Sequence, residues 1–409
     1  MPSQRSVRKR PIEYSLLYTS TLCLLAAGAV MVYSASSAEA VIQGPGDPAY
    51  YLKRYLAFGL IGLLAMHFLS RNGLRLVRSA TPLLLFGSFV LCTAVMLPGI
   101  GVRVNGATRW LALGPLQFQP AELLKFSLIL YAAQLLAAQP KRVRAAGTLV
   151  KPLLLVTGGA CALLLKQPDM GTAIVISLSM SCLLIVAGTP LRVLAKIWGT
   201  LAGLVFVFAL LEPYRRARLT SFLHPSFNAA GAGFQAAQAL VAIGSGGLFG
   251  VGLGESVQKI FYLPEAHTDM IMAIIGEEIG LVGILGVIVL YAMIAYAGLR
   301  AAKLAVDLHS KLLAAGITSL ILSQATLNFF AVLGMAPLTG VPLPFISYGS
   351  SNLIVMLGAM GLLLNVAATG GRASRARPRL RAIEGGGRAA DRDRRRRDGG
   401  ARRAGARGR

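Results

Sequence analysis

Runs of about 20 predominantly apolar residues, each long enough to cross a hydrocarbon layer of roughly 30 Å as a helix, recur along this chain. They lie near residues 15–36, 55–69, 80–97, 121–138, 152–165, 170–188, 196–211, 270–298, 312–334 and 349–368. Lipid offers no water to an unpaired backbone group, so such runs are helical. The expected fold is an all-α polytopic membrane protein with about ten transmembrane helices. A charged fraction of only 14% and a mean hydropathy of +0.64 exclude a soluble domain of 409 residues. The second and fifth runs are short for the hydrocarbon thickness, so the count carries a margin of about one.

Charge placement orients the bundle. Arg5, Arg8, Lys9 and Arg10 precede the first run, and Arg71, Arg75 and Arg78 follow the second. Lys141, Arg142, Arg144 and Lys151 follow the fourth, Arg192 and Lys196 the sixth, and Arg300, Lys303 and Lys311 the eighth. All fall on one side, which the positive-inside rule makes cytoplasmic. Both termini are then expected inside, Asp269 outside, and a large extracytoplasmic loop near 212–268 between spans seven and eight. The first run, with small residues near Ser34 and Ala38, has some look of a signal peptide but exceeds the usual apolar length of one. Cys23, Cys92, Cys161 and Cys182 fall inside expected spans and offer neither disulfide nor zinc spacing.

Three regions follow: a basic cytoplasmic N-terminus at 1–14, a membrane domain at 15–370, and an Arg/Gly-rich cytoplasmic tail at 371–409. The tail has almost no large apolar residue and is expected to be disordered. A basic segment just after a span suits anionic membrane lipids, so no nucleic-acid partner is expected.

The outer loops carry cations against the orientation bias: Arg103, Arg109, Arg215, Arg216, Arg218 and Lys259. An anionic ligand is one explanation, since arginine's planar fork suits phosphate oxygens. Outer-leaflet headgroups, or pairing with Glu212, Glu255 and Glu265, are the others. Glu122 and Lys125 stand one turn apart at the start of the fourth span, where they either pair or line a cavity, or do both. Asp169 is placed to cap the helix that follows it. The run Gly244 to Gly254 lacks the Gly-Lys-Ser/Thr ending of a phosphate loop and reads as tightly turning or flexible backbone.

Tyr262 to Met270 is a polar run at the mouth of the eighth helix. Asp269 alone fits a charge at a helix N-terminus. With Glu277 and Glu278 on the same expected helix, three carboxylates exceed what capping explains and imply a polar cavity opening outward, with Glu277 on its wall.

Asn105 to Trp110, Gln119 to Glu122, Gln167 to Thr172, Leu263 to Asp269 with Glu277-Glu278, and Pro342 to Ser351 together resemble the SEDS family of shape, elongation, division and sporulation proteins. The likeness runs in consistent order over about 12–370, and Gly254 to Asp269 is more similar to the division members than to the elongation members. Ser350 stands where a second glycine is commoner, and Thr339 where some relatives place lysine.

The resemblance implies a peptidoglycan glycosyltransferase that polymerises lipid II at the outer face of the bacterial cytoplasmic membrane, at the division septum. It matches Asp269 to the family's essential aspartate and Glu122 and Lys125 to cavity residues. Pyrophosphate contacts would fall to Arg109 and Arg215, then Arg216, Arg218 and Lys259, aided by Mg²⁺ or Mn²⁺ with unassigned ligands. The implied partners are lipid II, the nascent glycan strand, a class B penicillin-binding transpeptidase and other divisome membrane proteins. A lipid II transporter and a noncatalytic scaffold are the alternatives.

Overall fold

The computed structural model describes residues 10–104, 107–113, 116–138, 150–196, 198–199, 233–260 and 262–371. Arg215, Arg216 and Arg218, most of the expected seventh span at 196–211, and the tail beyond Gly371 lie outside them. Among the described residues seven helices are long and apolar enough to cross a membrane. In chain order the helices used below are α1 (Ile12–Ile42), α2 (Tyr50–Ala94), α3 (Pro120–Ala138), α4 (Val150–Lys166), α5 (Met170–Ala187), α6 (Phe234–Gly246), α7 (Ile271–Glu278), α8 (Gly280–Leu304), α9 (Leu308–Val332) and α10 (Ser350–Gly371). Helices α9 and α10 are the most enclosed of the spans. Leucines, isoleucines and leucine-sized residues of α2, α8 and α1 stay exposed along their outer faces, as contact with lipid requires.

The second and third expected runs are one continuous helix. At about 1.5 Å per residue a straight helix of that length would far exceed a membrane's thickness. Its contacts show how it fits. Tyr51, near its start, packs on His267 and Tyr348. The Leu69 carbonyl, in its middle, accepts from Asn365 at 3.2 Å, near the far end of α10. Cys92, near its other end, accepts from Gln167 at 2.5 Å. Ser350 and Ser351, at the start of α10, bond Gln117 and Gln119 on that same side. Both ends of α2 therefore meet one end of the bundle while its middle meets the opposite end. These contacts require a change of direction between Leu69 and Cys92, a stretch that contains Pro82.

The eighth expected span is also not as read. It is broken into α7 and α8 at Gly280, whose φ is +74°. A break leaves carbonyls at the end of α7 and amides at the start of α8 without helical partners. The glycine run supplies them. Val251 and Gly252 donate to the Glu277 and Glu278 carbonyls at 2.9 and 3.1 Å, and Leu281 and Val282 donate to Gly247 and Leu248 at 3.0 and 3.2 Å. This exchange demands close backbones: a Cβ on Gly250, at φ +82°, would sit 2.2 Å from the Glu278 carbonyl oxygen. The run is thus ordered backbone partnering rather than a phosphate loop.

One element departs from an all-helical expectation. Three short antiparallel strands, β1 (Gly101–Val104), β2 (Ala107–Leu113) and β3 (Leu116–Phe118), form a sheet between α2 and α3. Val102 pairs with Trp110 and Arg103 with Thr108, so Arg109 is an extra, bulged residue.

Candidate active site

Asp269 lies on the turn ahead of α7, not in the helix. The cap position is Met270, and no side chain bonds there, so Asp269 is a charge one residue ahead of the helix N-terminus and not its hydrogen-bonding cap. The turn is closed by Thr268 and Met270 amides donating to the Glu265 carbonyl at 3.2 Å each, with Glu265 itself at φ +57°. The Thr268 hydroxyl lies 3.3 Å from Asp269 Oδ1 and 2.8 Å from Glu265 Oε2. On the other side, a Cβ placed on Gly340 would come 3.7 Å from Asp269 Oδ2. The carboxylate is half-buried and lies against the segment 339–342.

That segment is a meeting point. Gly171, at the start of α5, abuts it so closely that a Cβ there would lie 2.7 Å from the Thr339 carbonyl. Asp169 caps α5 through the Thr172 amide at 3.2 Å, as its position in the sequence predicts, and its second oxygen is buried without a hydrogen-bond partner. Two amides one turn apart on α9 reach the same segment. Gln324 donates to Pro342 at 2.8 Å, and Asn328 donates to Val341 at 2.9 Å and to the Asp269 carbonyl at 2.8 Å.

The other residues singled out from sequence are held more tightly than a cavity wall would be. Lys125 donates to Glu122 at 2.9 Å and to Gln324 at 2.8 Å, with both charged side chains almost fully enclosed. Pairing, rather than an exposed cavity lining, describes them. Glu277 does not line an outward cavity either. It accepts from the Ser256 hydroxyl and from the Val257 and Gln258 amides, the last two at 3.0 and 3.4 Å. Glu278 takes the Ser34 hydroxyl at 2.6 Å and the Lys259 ammonium at 2.8 Å. Lys259 also donates to the Gly254 carbonyl at 2.7 Å, so its charge is engaged within the protein. Two carboxylates thereby anchor the loop that follows the glycine run onto α7.

Lys259 does line a cleft of about 620 Å³ between α1 and residues 253–260, but Asp269 is not part of that lining. Arg109, the bulged residue, donates from Nε to the Gln167 carbonyl at 3.1 Å and from its terminal nitrogen to Pro168. Its fork is turned at least in part to holding the entry of α5. Arg103 is exposed on β1.

One group near Asp269 was not legible from spacing. The His267 ring stacks obliquely on Tyr51 at 4.4 Å and Tyr348 at 5.6 Å, and Tyr348 donates its amide to the His267 carbonyl at 3.0 Å. Glu39 lies 3.3 Å from Nδ1, within ion-pair distance of a protonated ring. Burial pushes the Tyr348 phenol above its ordinary value, partly opposed by Arg54, so it remains neutral. These residues come from four distant segments, and only His267 sits in a polar run that draws the eye.

Among the described residues no three His, Cys, Asp or Glu side chains converge on a point where they could hold a metal ion.

The chain is similar to known proteins over nearly its whole membrane region. The family model described as cell cycle protein, FTSW_RODA_SPOVE, matches residues 14–370. A relative from Thioalkalivibrio sulfidiphilus, named probable peptidoglycan glycosyltransferase FtsW, is 43% identical over 86% of this chain and 88% of its own length. Stage V sporulation protein E of Bacillus subtilis is 40% identical over 86% of this chain and 96% of its own. Among solved structures, a chain from a peptidoglycan synthase complex that coordinates polymerization and crosslinking aligns with a TM-score of 0.71 at 29% identity, covering 87% of this chain and 97% of that one. The rod shape determining protein RodA of Thermus thermophilus aligns at 0.63 with 30% identity, over 86% and 95%. With its apolar helices, its broken eighth span and this match across the membrane region, the chain is a multi-pass membrane protein belonging to the FtsW/RodA/SpoVE family.

Proposed function

We propose that this protein is a peptidoglycan glycosyltransferase that polymerises lipid II during cell division, with Asp269 as the general base. Relatives named as peptidoglycan glycosyltransferases support the reaction class. The observation that carries the residue assignment is a contrast between carboxylates. Glu122, Asp169, Glu277 and Glu278 are buried, whereas Asp269 is half-buried, on a turn, beside a glycine. A base must reach the proton that it removes, and among these five acids Asp269 has the access.

In this reading an acceptor sugar hydroxyl attacks the donor's anomeric carbon. A C–O bond forms there as the bond to the pyrophosphate oxygen breaks; the pyrophosphate leaves with the electron pair and Asp269 takes the hydroxyl proton. The α-linked donor becomes a β-linked product in one inverting displacement, so no protein nucleophile is required. Arg109 has a supporting place in pyrophosphate binding, shared with its hold on Gln167 and Pro168. Arg215, Arg216 and Arg218 keep the assignment that the sequence suggested, and Lys259 loses it to its pairing with Glu278. A divalent cation, if used, would rest mainly on the substrate's phosphates, a mode that suits Mg²⁺.

The division-type relatives support a septal site in the cytoplasmic membrane, and the basic inner loops support cytoplasmic termini. Likeness to a chain of a synthase complex supports a class B penicillin-binding transpeptidase as partner. The test supplies purified protein, with and without that partner, with labelled lipid II and Mg²⁺. Glycan strands from wild type, and a loss of about 10² to 10⁴ in rate for Asp269→Asn, are expected for removal of a general base. Polymerisation by the variant at the wild-type rate would remove Asp269 from that role. Lipid II translocation without polymer would favour a transporter.

A further inference from the structure

The strongest unassigned feature beside the site is the pair of buried amides on α9. Gln324 and Asn328 are separated by four residues and so share one helix face. Their orientations are dictated by their partners. Gln324 Oε1 accepts from the Lys125 ammonium at 2.8 Å, which turns Nε2 toward the Pro342 carbonyl. Asn328 Nδ2 has two hydrogens and two carbonyl acceptors, Asp269 at 2.8 Å and Val341 at 2.9 Å. Its Oδ1 is buried without a partner, and a flipped amide would press that oxygen against both carbonyls. One nitrogen thus ties the backbone of Asp269 to the backbone next to Gly340.

We propose that Asn328 is a positioning residue for Asp269. By clamping the two carbonyls it fixes the separation between the turn that carries the carboxylate and the segment 339–342 over which that carboxylate lies. The clamp acts on the Asp269 main chain, and Asn328 makes no bond to its carboxylate. Gln324 steadies the same segment one residue further on, from the buried Lys125–Glu122 pair. This inference rests on the assignment of Asp269 as the base.

The experiment compares lipid II polymerisation by Asn328→Ala, Asn328→Asp, Asp269→Asn and a control, Asn365→Ala, in the full-length protein with its transpeptidase partner. Asn365 is an equally buried amide that donates to a carbonyl, at Leu69, but at the opposite end of the bundle. Misplacing a reacting group by about 1 Å lowers rates by about 10²-fold, so Asn328→Ala should lower kcat about 10- to 100-fold with KM within about threefold. Asn365→Ala should leave kcat per folded molecule unchanged. Asn328→Asp conserves shape but removes the donors, except where its buried carboxyl is protonated and can donate one bond; its activity relative to wild type should rise as pH falls. If Asn328→Ala does not fold, that pH ratio carries the test, and a flat ratio overturns the proposal. Wild-type kcat in Asn328→Ala beside an inactive Asp269→Asn would overturn the positioning role alone. Full activity in Asp269→Asn would overturn the base assignment and the clamp with it. A kcat loss in Asn365→Ala matching that of Asn328→Ala would reduce the effect to general destabilisation and overturn it as well.

Discussion

Replacing Glu278 by alanine should unfold the outer end of the bundle far more than an apolar count would suggest. The Lys259–Glu278 pair is 2.8 Å long, with side chains only 6% and 0% exposed. Truncating one member leaves the other charge buried and uncompensated, which costs about 3–5 kcal/mol. The Ser34 hydroxyl, 2.6 and 2.8 Å from the two carboxylate oxygens, loses its partner too, but it stands on a helix and can turn to its own i−4 carbonyl. The double variant Lys259→Met/Glu278→Leu removes both charges and leaves chiefly the Gly254 carbonyl without its donor, a loss of about 1 kcal/mol. Coupling between the two sites should therefore reach at least about 2 kcal/mol. Unfolding by dodecyl sulfate in mixed micelles, followed by circular dichroism, gives the four stabilities. Limited proteolysis within 247–260 should become faster in Glu278→Ala and return toward wild type in the double variant. A single variant within about 1 kcal/mol of wild type, or a double variant destabilised by the sum of its parts, would refute the account of a buried, mutually dependent pair.

Two further outcomes follow from the same region. Gly280→Ala should abolish folded protein or shift its unfolding midpoint sharply: the site has φ +74°, and a Cβ would lie 2.4 Å from the Gly250 amide nitrogen, a backbone atom with no room to yield. Wild-type stability in that variant would contradict the close pairing of the glycine run with the broken helix. Arg109→Ala should loosen the entry of α5, since hydrogen bonds from a charged donor contribute about 1.5–3 kcal/mol each. Hydrogen exchange at residues 167–172 should quicken in Arg109→Ala, and Arg109→Lys should restore little because an ammonium lacks the planar fork.

Hydropathy made the spanning helices legible, because lipid imposes the same length and apolarity on every crossing. It did not reveal that the second and third runs share one helix. Arg71, Arg75 and Arg78 mark where the chain leaves the membrane, but leucine, arginine and serine are acceptable helix residues and nothing there forces the hydrogen-bond ladder to stop. The small sheet did leave a signal: Asn105-Gly106 between residues that alternate is the pairing expected of a two-residue hairpin turn. The break at Gly280 was hidden for a different reason. A glycine inside an apolar run reads as a weak helix residue, and only the partner backbone at Gly247 to Gly252 shows what it is for.

The carboxylates show most clearly where sequence reasoning stops. Spacing along a helix can say that Glu277 and Glu278 point different ways, but not what each one meets. Glu278 finds a hydroxyl 244 residues away in sequence, and Glu277 finds the amides of a loop that precedes it. Both are acids in a membrane protein near the expected chemistry, and a count of acids would enlist both in it. Burial separates them from Asp269. A carboxylate whose oxygens already accept from buried serine, lysine or backbone donors is poorly placed to take a proton from a substrate, since doing so would leave those donors unpaired in a low-dielectric interior. Asp269 is half-buried, its main chain is held by Asn328 and by the turn closed on Glu265, and its side chain lies beside a residue that has none. Rigidity supplied to the backbone and access left to the carboxylate are the two requirements of a base, and Asp269 meets both where Glu122, Glu277 and Glu278 meet only the first.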